Sequence, residues 1–100
     1  MVNTRAKGKR NLNKSLEYYR KKGWLAESVE RASKYIKQKD LFNLFDGICI
    51  KPNRTKLFQV KSNKMKDSLQ PFKDFAKKYP QFEVELHIWI DRNGVKIRRF

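Results

Sequence analysis

Apolar residues recur along this chain in two periods, and the switches between the periods mark out its elements. Leu12, Leu16 and Tyr19 fall at helical spacing with Asn11 or Asn13 available as a cap, which predicts a first helix over about residues 13–22. Lys21 and Lys22 suit the C-terminal end of the helix dipole, and Gly23 is a stop at C′. Residues 24–31 then alternate and predict a strand, with Leu25, Glu27, Val29 and Arg31 on one face and Trp24, Ala26, Ser28 and Glu30 on the other. Residues 32–43 are polar and basic and read as a loop with a helical turn near Tyr35 and Ile36.

Residues 44–51 read as a buried strand, apolar on both faces apart from Asp46. Pro52-Asn53-Arg54 marks a turn, and residues 56–62 form the next strand. On that strand Leu57, Gln59 and Lys61 share one face, and Phe58 and Val60 share the other. A second helix over about 68–79 carries Leu69, Phe72, Phe75, Ala76 and Tyr79 as its apolar stripe, with Pro71 confined to the first turn and Pro80 ending it. Residues 82–90 alternate most cleanly of all. Phe82, Val84, Leu86, Ile88 and Ile90 oppose a polar face of Glu83, Glu85, His87 and Trp89, on which His87 reads as a surface or half-buried structural residue. Asn93-Gly94 signals a hairpin, and residues 95–100 return as an edge strand whose Lys96, Arg98 and Arg99 resist edge-to-edge pairing. The order α-β-β-β-α-β-β predicts a mixed α/β (α+β) sheet with helices packed against it.

Charge changes the picture more than composition does. Apolar residues are 39% of the 100, enough for one small core and one domain over residues 11–100. Against 10 Asp and Glu stand 25 Lys and Arg, a formal net charge of +15. Such an excess repels itself in a folded chain and is relieved by a polyanion. Nucleic acid is the first candidate, an anionic membrane surface the second. The apolar runs are far shorter than the roughly 20 residues that span a bilayer, so no membrane partner is expected. Residues 1–10, with Arg5, Lys7, Lys9 and Arg10, read as a mobile basic arm. Lys34, Lys37, Lys39, Lys64 and Lys66 add phosphate-contact candidates, positioning DNA without reading its bases. A lone Cys49 excludes an internal disulfide, and one Cys with one His cannot build a structural zinc site. The N-terminus has no apolar signal-peptide core, so a cytoplasmic protein is expected.

The chemistry converges on residues 46 and 59–61. Hydrolysing a phosphodiester with a divalent cation needs hard oxygen ligands, a group that orients water, and positive charge near the developing phosphorane. Asp46 offers a carboxylate, Gln59 an amide oxygen and Val60 a backbone carbonyl from the neighbouring strand. Lys61, two residues from Gln59, projects from the same face to position water or neutralise charge. Each also has a plainer reading: Asp46 as a strand-end cap, Gln59 as a satisfied polar residue, Lys61 as a solvated cation, and Trp24 and Trp89 as core rather than base-stacking platforms.

The pattern Asp46, then Gln59-x-Lys61, on adjacent strands resembles the PD-(D/E)xK nuclease superfamily, which includes restriction endonucleases, archaeal Holliday-junction resolvases and phage and viral nucleases. The likeness is carried by residues 39–48, KDLFNLFDGI, and 58–62, FQVKS, and by the order of elements over residues 12–90. The resemblance implies a restriction-endonuclease-like core, Mg²⁺ or Mn²⁺ as cofactor, Asp46 and Gln59 as metal ligands and Lys61 as the catalytic lysine. Many members add a glutamate from the first helix, which here would be Glu17, with Glu30 and Asp40 as rivals. The chain departs from the family in carrying Gln at position 59 in place of an acid, and Phe45 in place of Pro before Asp46. The implied activity is DNA endonuclease, with junction resolution as one specialisation. The alternatives are a non-catalytic nucleic-acid-binding protein on the same fold and an RNA-associated basic protein. Symmetric cutting of two strands would need a homodimer, with the final strand or Trp24 and Trp89 as its contact.

Overall fold

The computed structural model describes residues 4–29, 42, 44–63 and 68–100, and side chains from residue 8 onward. Its elements are α1 (Thr4–Lys21), β1 (Leu25–Ser28), β2 (Gly47–Lys51), β3 (Arg54–Ser62), α2 (Gln70–Lys78), β4 (Glu83–Ile90) and β5 (Gly94–Arg99). The five strands form one mixed sheet in chain order. β3 and β4 run parallel across the α2 crossover, and the other neighbouring pairs are antiparallel.

α1 departs furthest from expectation. It begins at Thr4, so residues 4–10, expected as a mobile arm, continue the helix by about two turns. Apolar spacing does not reveal this extension, because Gly8, Lys9 and Arg10 are exposed and bury nothing. Lys, Arg and Ala are good helix formers without burial. The other end stops as expected. Gly23, at φ +88°, donates to the Arg20 carbonyl, and Trp24 N–H donates to the Tyr19 carbonyl, both at 3.0 Å. This pair of bonds is a Schellman motif, and it turns the chain directly into β1.

The two hairpins follow their turn residues. Lys51 pairs with Arg54 around Pro52-Asn53, with Asn53 at φ +63°. The β4–β5 turn is centred earlier than Asn93-Gly94 suggests. Ile90 pairs with Gly94 across a three-residue loop, with Arg92 at φ +64° and Gly94 at φ +86°.

Each helix covers one face of the sheet. On one face Leu12, Leu16 and Tyr19 of α1 pack with Trp24, Ala26, Cys49 and Phe58; on the other Phe72 of α2 packs with Phe45, Leu57, Val84 and Leu86. β3 supplies both clusters by alternation, so Gln59 and Lys61 share the α2 face with Leu57, while Val60 and Ser62 share the α1 face with Phe58. Trp24 is 6% exposed and belongs to the core, which removes it as an interface residue. Burial pushes the Cys49 thiol up to about 12 against the pull of the Lys56 charge, so this cysteine is an inert packing residue. Among the described residues, no helix is long and apolar enough to cross a membrane.

Candidate active site

The β2–β3 ladder ends at Gly47↔Phe58, and Asp46 stands at the point where the strands part. Its backbone is held from both sides: Asp46 N–H donates to the Phe58 carbonyl at 2.9 Å, and Val29 N–H donates to the Asp46 carbonyl at 3.0 Å. Its side chain then takes the place of the missing strand. Asp46 Oδ2 accepts the Val60 backbone N–H at 2.9 Å. In an extended strand the N–H and C=O of one residue point to the same side. The Val60 carbonyl therefore faces the edge that Asp46 occupies, between Gln59 and Lys61.

Gly47 makes this seat possible. A Cβ at Gly47 would collide with the Phe58 ring and lie 2.9 Å from the Glu27 carbonyl. Only glycine lets β2 begin so close to Phe58, and that closeness delivers Asp46 to Val60.

Gln59 is 8% exposed, and its Oε1 is buried with no hydrogen-bond partner among the described residues. A buried amide oxygen left unpaired costs about 1–3 kcal/mol. Such an atom calls for a partner such as a water, an ion or a further side chain. Lys61, half-buried, shares its face. The oxygens at this strand end are the Asp46 carboxylate, the buried Gln59 Oε1 and the Val60 carbonyl.

Glu17 does not join them. It is exposed on α1, and α1 packs on the sheet face opposite to Gln59 and Lys61. The rivals Glu30 and Asp40 lie outside the described residues, as do Lys34, Lys37, Lys39, Lys64 and Lys66. Lys9 and Arg10 are exposed on α1; Arg5 and Lys7 lie on its first turns, their side chains outside the described set.

A polar network beneath α1 was not apparent in the polarity pattern of the sequence. The polar face of β4, on which His87 was expected at the surface or half-buried, is buried at its centre, with His87 at 0% and Glu85 at 3% exposure. Tyr19 Oη donates to Glu85 Oε1 at 2.7 Å and lies 2.8 Å from His87 Nε2; His87 Nδ1 lies 2.8 Å from Ser15 Oγ. Trp89 Nε1 donates to the same Ser15 Oγ at 2.7 Å. The hydroxyl of Tyr19 has one proton, given to Glu85, so it accepts from His87 Nε2–H. With an imidazole proton assigned to Nε2 and Nδ1 paired with Ser15 Oγ, every group has a partner. Lys56 Nζ at 2.9 Å and Arg99 Nε at 3.0 Å complete the shell of Glu85. Burial works to raise the Glu85 carboxyl, but the contacts of His87, Tyr19 and Lys56 and the Lys56 charge hold it down at about 2. Burial and the neighbouring Glu85 charge drive the Tyr19 hydroxyl strongly upward, so it remains a donor.

The Ser15–His87 pair has the groups of a nucleophile and base, but both side chains are sealed at 0% exposure. No substrate reaches them, and their role is to fix α1 to the sheet. Its sequence signal is complementarity: Ser15 and Tyr19, one helical turn apart, meet Glu85, His87 and Trp89 at alternate positions of one strand. Compared with models of known protein families and with curated protein sequences, the chain matches none.

Proposed function

We propose that the chain is a divalent-metal-dependent DNA endonuclease of the PD-(D/E)xK kind, with junction resolution as one specialisation. The observation that carries the proposal is the seat of Asp46, whose carboxylate lies against the backbone of Val60 between Gln59 and Lys61. The order of elements around the parallel β3–β4 pair, the Gln59 Oε1 without a partner among the described residues, and the net charge of +15 support it.

The donor set fits Mg²⁺ or Mn²⁺. All three atoms are hard oxygens, and Mg²⁺ takes one or two carboxylates while keeping several waters. Asp46, Gln59 and the Val60 carbonyl would hold the ion. When bound, it would polarise the phosphoryl oxygen and acidify water. Asp46 is oriented for this by the Val60 N–H. Lys61 carries positive charge on the face of Gln59, where it would stabilise charge developing on the phosphate and orient the attacking water. Two copies about a twofold axis would cut two strands, and sedimentation of the protein with and without a junction tests that.

Gln59 favours one second reading. A single carboxylate with neutral oxygens holds a dication less tightly than two carboxylates, as suits a binding protein on the same fold. Incubation with branched, duplex and single-stranded DNA, in Mg²⁺, in Mn²⁺ or in chelator, separates the two. The endonuclease reading expects strand breaks that need the metal. Binding without cleavage in either Mg²⁺ or Mn²⁺ selects the second reading.

A further inference from the structure

A second surface adjoins the candidate site at the same end of the sheet. A cleft of about 680 Å³ lies between α1 and the β4–β5 hairpin, lined by Arg10, Asn11, Lys14, Trp89, Asp91 and Arg92 among others. Ser62 pairs with Trp89 in the parallel register, so the cleft residue Trp89 lies beside the β3 position that follows Lys61. Gln59 and Lys61 occupy one face of that strand end, and the cleft opens on the other.

The walls are built. Asn11 Nδ2 donates to Ser62 Oγ at 2.6 Å, tying α1 to the end of β3. Asn63, at φ +65°, donates its N–H to the Trp89 carbonyl at 2.7 Å, and its Oδ1 accepts the Asp91 N–H at 3.0 Å. Trp89 is half-buried, with its indole N–H fixed on Ser15 and Lys14 Nζ 5.5 Å from its ring centroid. Arg10, Lys14 and Arg92 make no ion pair among the described residues, whereas Asp91 is engaged by Asn63. Arg10 and Lys14 stand one helical turn apart, about 6 Å along the axis. That rise is comparable with the separation of consecutive phosphates on a nucleic-acid strand.

We propose that this cleft is the track for the DNA backbone leading into the candidate site, with Arg10, Lys14 and Arg92 each neutralising a phosphate. The inference rests on the endonuclease reading and names where its substrate lies. Phosphate contacts of this kind position DNA without reading bases.

The test is anisotropy of labelled duplex and branched DNA in chelator, over a salt series. It compares wild type, the triple variant R10A/K14A/R92A and the control triple K73A/K77A/K96A, with thermal melts to verify folding. The control removes the same charge from exposed positions that line no part of the cleft. The cleft variant should bind at least about tenfold more weakly, with its salt slope reduced by about 2–3, while the control changes affinity by less than about threefold. Equal losses in both triples, or no loss in the cleft variant, overturn the track even where wild type cleaves DNA. Wild type that neither binds nor cleaves overturns the track and the endonuclease reading together.

Discussion

The Asp46 carboxylate receives the backbone N–H of Val60 at 2.9 Å, a bond that a strand would otherwise make. One side chain thus closes the end of a ladder and brings an anion to the backbone between Gln59 and Lys61. Closing the ladder requires only an acceptor at Oδ. Holding a cation requires charge. The two roles are separable by substitutions that keep the shape.

Asp46→Asn preserves an acceptor for Val60 and removes the charge. Thermal melting should change by an equivalent of less than about 1 kcal/mol, because a neutral acceptor replaces a charged one in the same bond. DNA binding in chelator should persist. A large loss of stability would make Asp46 chiefly a structural cap.

Gln59→Glu supplies the acid that the resemblance leads one to expect. Without metal, a buried carboxylate is expected to lower the melting temperature. With Mn²⁺ the variant should gain more stability than wild type, since a ligand bound only by the folded state stabilises in proportion to ln(1 + [L]/Kd). Melting curves at several Mn²⁺ concentrations check this, with equal metal responses as the contrary result.

Glu85 makes folding acid-sensitive. Its folded pKa, about 2, lies below the ordinary 4.5, so its contribution is fully present above about 4.5 and is lost as pH falls toward 2. Lys56, Arg99, Tyr19 and His87 surround it, and Glu83 lies beyond Lys56. The contribution is on the order of 2 kcal/mol, discounted for solvent reaching it beside exposed Arg99. Glu85→Gln should destabilise by about 3 kcal/mol at neutral pH, because Lys56 loses its buried partner, and should flatten the acid limb of a denaturation series.

Two glycines should respond in opposite directions. Gly8 sits within α1 with open space where a methyl group would stand, so Gly8→Ala should stabilise by about 0.5–1 kcal/mol. Gly47→Ala must displace the Phe58 ring or the Glu27 carbonyl and should destabilise by about 1–3 kcal/mol. Chemical denaturation of both variants checks the pair.

Strands and hairpins were legible because alternation and turn residues are local. Residues 82–90 read as a strand for that reason, and Gly23 read as a helix stop. The N-terminal turns of α1 were not legible, since an overhanging helix carries no apolar stripe. Nor was the burial of Glu85 and His87. Single-residue polarity points them outward, and only their match with Ser15, Tyr19 and Lys56 on other elements makes burial tolerable. Within the candidate site, Asp46 and the shared face of Gln59 and Lys61 could be read from spacing, whereas the position of Glu17 depended on which face α1 covers.

The most direct measurement is single-turnover cleavage of branched and duplex DNA in Mn²⁺ by wild type, Asp46→Asn and Lys61→Ala, with binding measured in parallel. Wild type should cleave only with metal, and both variants should lose cleavage by about 10²-fold or more with binding retained. Cleavage that survives both substitutions, or a wild type that binds DNA and never cuts it, would rule out the Asp46–Lys61 endonuclease site.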